Sequence, residues 1–260
     1  MPSNLSNNIV TSAVLRGPRL KANRADQHIN DILRMSQELP AEFYDFRVCA
    51  RTIPPYAKPT QFELRYDPIK PIPETFALII GDAVHNLRAA LDHLASGIIR
   101  TIDPGAKRYF PVTKIRDNLE KSGDLALMET ALPGSKELVL NKIRPVNGGR
   151  DHLWAFGSID IDDKHNLVVP TITIATIDGI SGNSRGMSFE GIGFGNDAAK
   201  PFIAMASTNP FSIQGKPHAS VDVSFGPGTP FYGHPVVPTL LDIRQLVEET
   251  IEAFATLIGR

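Results

Sequence analysis

The segment GDAVHNLRAALDHLA, residues 81–95, combines residue types that can move protons, bind phosphate or ligate metals. Projected at about 100° per residue, its polar side chains fall opposite a stripe of leucine and valine. A solvated helix face normally carries Lys and Glu, but this segment has neither. Its polar residues are Asp82, His85, Asn86, Arg88, Asp92 and His93. Because Asp and Asn are mediocre residues in the middle of a helix, we expect these groups to bond to a specific partner.

Three interpretations of this polar face remain open. It could be a buried hydrogen-bond network that joins helices, with neutral histidines and an Arg88–Asp92 pair at i, i+4. It could be catalytic, with Arg88 stabilising the charge of a phosphate while His85 or His93 moves a proton, which suits a pKa near neutrality. It could also bind a metal, since Asp82 and His85 at i, i+3 share one face of the helix.

A second polar cluster, Asp163-Lys164-His165, lies just before the predicted strand NLVVP. It places three different proton-carrying groups together, and we expect Asp163 and His165 to assist the catalytic face. In the metal interpretation, His165 completes the ligand set begun on the helix. His28, on the first predicted helix, flanks that helix's apolar stripe and is expected to point towards the same place.

The elements that must position these residues are three long helices and two groups of strands. Apolar residues at helical spacing predict helices near 19–38, 74–102 and 238–258, and alternating β-formers predict a hairpin at 44–66 and strands across 166–226. The predicted fold is therefore α+β, with a helical bundle core, an antiparallel sheet from the C-terminal half and a small N-terminal hairpin. The expected organisation is a flexible arm at 1–18 and a single domain at 19–260, divided into a helical part (19–165), a β-rich part (166–236) and a C-terminal helix (237–258).

Composition narrows the classes of function. The 27 basic and 28 acidic residues nearly cancel, so contact with a nucleic acid must come from a local patch. The single cysteine, Cys49, excludes an intramolecular disulfide and a cysteine-based zinc site. No stretch approaches the ~18 continuous apolar residues of a membrane span, and the N-terminus lacks the features of a secretory signal. We therefore expect a cytoplasmic protein with no membrane partner.

The motifs themselves resemble two groups of proteins. GDAVHNLRAALDHLA, followed by an LW-containing segment that ends in DKH, resembles a family of bacterial and phage-associated proteins without an established activity, and RADQHINDIL fits the same pattern. This likeness covers roughly residues 20–168. Arg88 and His93, four residues apart, also resemble the motif of HEPN-type proteins, helical bundles of which many are metal-independent ribonucleases. That resemblance implies that Arg88 clamps a phosphate of RNA and His93 is the general acid–base group, often at a dimer interface.

The leading hypothesis is therefore a nucleic-acid-processing enzyme, a HEPN-like endoribonuclease that needs no cofactor. His85, Arg88 and His93 would be central, because metal-free RNA cleavage needs a base for the 2′-hydroxyl and a cation for the phosphate. Its partners would be RNA and a second copy of the chain. The second hypothesis is a hydrolase that uses a divalent metal on Asp82, His85 and His165. The third is a non-enzymatic binding or assembly protein in which the polar face is structural.

Overall fold

The computed structural model describes residues 3–71, 73–163, 170–185, 187–196 and 200–259 of the chain. Within these ranges lie seven α-helices, and the fifth continues into a π-helical turn at Leu138–Ile143. The helices are α1 (Ser3–Gln37), α2 (Thr75–Ile99), α3 (Arg116–Glu120), α4 (Gly123–Ala131), α5 (Ser135–Glu137), α6 (Asp151–Asp163) and α7 (Val236–Ile258). None of these helices is both long and apolar enough to cross a membrane.

The strands of the described ranges form two antiparallel sheets. They are β1 (Tyr44–Arg51), β2 (Gln61–Pro68), β3 (Pro170–Ser184), β4 (Met187–Asn196), β5 (Phe202–Ser207), β6 (Ser212–Gln214) and β7 (His218–Phe225). The first sheet has the order β1-β2-β5, with Phe46 opposite Tyr66 in the predicted hairpin. In the second sheet β3 pairs with β4, β6 and β7. The predicted α+β class is confirmed.

The contacts divide the chain into two compact units. The helical unit comprises the described parts of residues 1–31, 77–169 and 226–260, and the sheet unit comprises those of 32–76 and 170–225. Every strand of the described ranges belongs to the sheet unit. We predicted one domain over 19–260, because no linker is visible in the sequence. The chain passes between the two units more than once, so neither unit is a continuous stretch that a linker could mark.

α1 begins at Ser3, so most of the segment 1–18, for which we predicted a flexible arm, is helical. Its Asn- and Ser-rich composition and the Gly17-Pro18 pair suggested a loose segment. In the structure Val14 and Leu15 are buried, and Pro18 lies inside the helix. A proline inside a helix costs about 3 kcal/mol and removes the donor to the carbonyl four residues before it, here Val14. Burial of the apolar side chains against the rest of the helical unit offsets this cost.

α2 presents its predicted apolar stripe to the core of the helical unit. The side chains of Val84, Leu87, Leu91 and Leu94 are fully buried. This burial fixes the rotation of the helix about its axis, and the polar residues of 81–95 must therefore point away from the stripe. The directions in which they point decide which of the three interpretations the structure supports.

Candidate functional site

One polar stripe of α2 holds the segment 106–110 by hydrogen bonds to its main chain. The stripe consists of side chains at a spacing of four residues, Arg88, Asp92 and Ser96, and Arg100, the residue directly after α2, continues it. The Asp92 carboxylate accepts from the Phe110 N–H at 2.8 Å. The Ser96 hydroxyl donates to the Arg108 carbonyl at 2.8 Å and accepts from the Arg108 N–H at 3.1 Å. Arg100 donates through Nε to the Ala106 carbonyl at 3.0 Å.

The spacing of these bonds follows from helix geometry. Four residues of an α-helix rise about 6 Å, and two residues of an extended chain span about 6.6 Å. From Asp92 onward, successive members of the stripe therefore meet every second residue of the segment, namely Phe110, Arg108 and Ala106, while Arg88 also bonds to Phe110. We call this arrangement the α2 ladder. The ladder supplies hydrogen-bond partners for main-chain groups of 106–110, which pair with no strand among the described residues.

Arg88 is an integral part of the α2 ladder. Its Nη2 donates to the Phe110 carbonyl at 2.9 Å and lies 2.9 Å from Oδ1 of Asp92. The two side chains are only 14% and 20% exposed. The i, i+4 pair that the structural interpretation predicted is therefore present. The geometry favours a positioning role for Arg88 over direct contact with a ligand.

A second polar stripe of α2 faces α1. Lys21 donates to Oδ1 of Asn86 at 3.3 Å, and the Asn86 amide donates to the carbonyl of Asp82 in the previous turn at 2.8 Å. About two turns further along α2, His93 lies against Gly17, which precedes Lys21 by about one turn of α1. Residue numbers thus rise along one helix as they fall along the other, so α1 and α2 pack antiparallel. Asn86 is buried at this contact and is a structural residue.

The ring of His93 packs against Gly17 of α1. A Cβ at Gly17 would be 2.8 Å from Nδ1 of His93, so any larger residue at position 17 would require the imidazole to shift. The side chain is nevertheless exposed to solvent. Partial burial lowers the pKa of His93, and the positive charges of Lys21 and Arg100 lower it further, against a smaller opposing effect of Asp92. His93 is therefore a neutral, accessible imidazole close to two cations at pH 7.

His28 occupies a different environment on α1. It is buried, and burial lowers its pKa, with an additional contribution from Arg24 and opposing ones from Asp82 and Asp31. A buried neutral imidazole is suited to packing. The electrostatic effect of Asp82 shows that His28 lies near the polar face of α2, and its role in a shared site stays a prediction. Asp82 and His85, in contrast, are exposed on α2.

The second predicted cluster cannot be placed against this helix. Asp163 is the last residue of α6, and its side chain lies outside the part that the structure describes, as do Lys164 and His165. Among the described residues, no group of three or more His, Cys, Asp or Glu side chains could hold a metal ion. The described residues therefore offer no third ligand that could hold a metal ion together with Asp82 and His85.

Sequence reasoning missed the cations beside His93 and two members of the α2 ladder. Ser96 and Arg100 continue the four-residue spacing of Arg88 and Asp92, so this signal was present beyond the end of the segment 81–95. No such signal exists for Lys21, because only the antiparallel packing of α1 on α2 brings it to His93.

No model of a known protein family matches this chain, and no curated protein or solved structure shows significant similarity to it. The likeness to HEPN-type proteins therefore stays a hypothesis that depends on Arg88 and His93 alone.

The lowered pKa values of His28 and His93 predict a pH-dependent stability. The unfolded chain binds protons at an ordinary histidine pKa of about 6.5, whereas the folded protein resists protonation at both sites. Their contribution is complete above about pH 6.5 and is lost as the pH falls through the folded-state pKa values. We expect the free energy of unfolding to decrease as the pH falls through that window, with a larger contribution from the buried His28 than from the exposed His93, whose charge solvent screens.

Urea denaturation at several values between about pH 7 and pH 5.5 measures this dependence, in a range where most carboxylates stay ionised. A His28→Gln variant should show a shallower dependence than the wild type. A free energy of unfolding that stays level or rises on acidification across this range would contradict the prediction.

Proposed function

We propose that this chain cleaves single-stranded RNA without a metal, with His93 as the proton-transfer group and Lys21 and Arg100 as the cations that contact phosphate. The observation that carries the proposal is the environment of His93. Its imidazole is exposed, is kept neutral at pH 7, and lies near two positive charges. Removal of a proton next to a phosphate requires a base, which a neutral imidazole provides. It also requires stabilisation of the phosphate charge, which nearby cations provide.

In the proposed reaction, His93 accepts the proton of a ribose 2′-hydroxyl. Nδ1 of the ring lies against Gly17, so Nε2 is the nitrogen that reaches the substrate. The 2′-oxygen then bonds to the adjacent phosphorus while the bond from phosphorus to the 5′-oxygen breaks. That oxygen leaves as a hydroxyl after it takes a proton from the imidazolium or from water. The products are a 2′,3′-cyclic phosphate and a 5′-hydroxyl end, and Lys21 and Arg100 stabilise the charge that develops on the phosphate.

This assignment gives Arg88 a different role from the one predicted for it. Arg88 is bonded to the Phe110 carbonyl and to Asp92, whereas Arg100 is exposed and uses Nε for its ladder bond. We therefore place the phosphate near Arg100 and Lys21, with Arg88 holding the segment 106–110 in position. The helical unit, whose described residues contain no strand, also supports the likeness to helical HEPN-type proteins.

The test is a cleavage assay on end-labelled single-stranded RNA in buffer that contains EDTA. We expect cleavage to continue without free divalent metal and to leave 2′,3′-cyclic phosphate ends. A matched oligonucleotide with a single 2′-deoxy substitution should resist cleavage at that linkage, because the nucleophile is missing. Cleavage that stops in EDTA, or that proceeds at the 2′-deoxy linkage, would overturn the proposed mechanism.

A second candidate is a protein that binds RNA without cleaving it. The α2 ladder favours it, because the ladder makes Arg88, one of the predicted catalytic residues, structural. In that case, the cations around His93 only retain the phosphate backbone. The cleavage assay separates the two functions, since a protein that only binds RNA forms stable complexes with it and produces no shortened RNA.

A further inference from the structure

Tyr109 stands out among the apolar side chains of the helical unit. It is 68% exposed, more than any other large apolar side chain of the described residues. Its neighbour Phe110 is buried and meets Phe254 of α7 edge to face, with ring centroids 6.2 Å apart. Single exposed aromatic side chains are common on protein surfaces, so the case for a ligand depends on what surrounds the ring.

The backbone on both sides of Tyr109 is held in place. The N–H and the carbonyl of Arg108 both bond to the Ser96 hydroxyl, and those of Phe110 bond to Asp92 and Arg88. The ring therefore projects from a segment that the α2 ladder anchors at each side. Because this backbone is already ordered, binding of a ligand to the ring has a small entropic cost.

The surroundings of Tyr109 are basic. Lys107 and Arg108 are exposed beside it, and Arg100 is bonded to the Ala106 carbonyl at the start of the segment. The carboxylate of Asp124 lies 3.8 Å from Arg108, and those of Asp92 and Asp103 accept from the N–H groups of Phe110 and Gly105, so they offset part of this charge. Arg100 is also one of the cations that lower the pKa of His93, so it is close both to His93 and to the segment that carries Tyr109.

We propose that Tyr109 is the platform on which an unpaired base of single-stranded RNA stacks, with the neighbouring phosphates on Lys107, Arg108 and Arg100. This inference rests on the proposed function and specifies its substrate. An aromatic ring between cations suits a single strand, because each base has a free face there and the backbone stays within reach of the charges. In a duplex the bases are already stacked on one another, and the ring has no free face to contact.

Fluorescence anisotropy with a labelled, fully 2′-O-methylated single-stranded RNA tests the inference, since this RNA binds but cannot be cleaved. We expect Tyr109→Ala to weaken binding roughly 5- to 150-fold, the range for loss of one stacked base. Tyr109→Phe keeps the ring and should bind like the wild type. The matched control is Tyr232→Ala, which removes a tyrosine that is 63% exposed in the same unit and should leave the affinity unchanged. Because the side chain of Tyr109 is exposed, these variants should fold normally.

The possible outcomes separate this inference from the proposed function. If Tyr109→Ala binds as tightly as the wild type, or if Tyr109→Phe loses as much as Tyr109→Ala, stacking is wrong even when RNA is cleaved. Equal affinity for a duplex of the same length, or no binding by the wild type, also overturns it. Binding that depends on Tyr109 in a protein that cleaves no RNA supports the stacking platform and overturns the proposed cleavage alone.

Discussion

Replacement of His93 by Gln is expected to slow RNA cleavage by about 10²- to 10⁴-fold, the usual contribution of a positioned acid–base group. Gln has a similar size and keeps hydrogen-bonding atoms, but it cannot accept the proton of the 2′-hydroxyl. The measurement is the single-turnover rate at saturating protein, which reports the chemical step without product release. Affinity for 2′-O-methylated RNA should change little, because the phosphates contact Lys21 and Arg100.

The matched control is His218→Gln, which removes an exposed histidine of the sheet unit. It should cleave RNA at the wild-type rate. A His93→Gln protein that is folded and also cleaves at the wild-type rate would contradict the assignment of His93. The pH profile adds a second criterion, because the pKa of His93 is lowered. As the pH is lowered, the wild-type rate should therefore still be level when the pH passes about 6.5, the ordinary pKa of histidine. It should fall only at a still lower pH, where the imidazole of His93 becomes protonated.

Replacement of Asp92 by Ala is expected to lower the free energy of unfolding by about 2–4 kcal/mol. The change leaves the Arg88 guanidinium without its ion pair and the Phe110 N–H without its acceptor, and both lie in a largely enclosed place. Loss of one partner of a buried charged pair costs several kcal/mol because the remaining charge is not compensated. Asp92→Asn keeps an acceptor for the N–H and should cost less. Urea denaturation measures both changes.

The control for this prediction is Asp242→Ala on α7, where the side chain is exposed. Its effect should stay within about 0.5 kcal/mol. Hydrogen exchange gives a local readout, since the amides of Arg108 and Phe110 should exchange faster once the α2 ladder is broken. If Asp92→Ala costs no more than Asp242→Ala, the ladder does not stabilise the segment 106–110 as we infer.

Local patterns predicted the long helices because a helix is made of contacts between residues three and four apart. The stripe of Val84, Leu87 and Leu91 has the period of a buried helix face, and α2 has the expected extent. The same logic failed at the start of α1. Asn, Ser and Gly17-Pro18 are poor helix residues, and their helical state depends on the burial of residues such as Val14, which no local pattern reveals.

The polar face of α2 was recognised from its residue types, but its partners were not. The sequence shows that Arg88 and Asp92 can pair at i, i+4, and it cannot show that both bond to Phe110, eighteen to twenty-two residues further along the chain. The close approach of Gly17 to His93 could not be predicted from the sequence either. Such contacts depend on how separate segments pack, and many different packings satisfy the same helical pattern.

By itself the sequence determined the α+β class, the long helices and the group of titratable residues on α2, because each follows from residue type and short-range spacing. Only the tertiary structure decided that these residues point in two directions, Arg88 and Asp92 to the segment 106–110 and His93 to α1. The physical reason is that a side chain's exposure, its charged neighbours and hence its pKa arise from segments distant in sequence. Spacing within one helix carries no information about them.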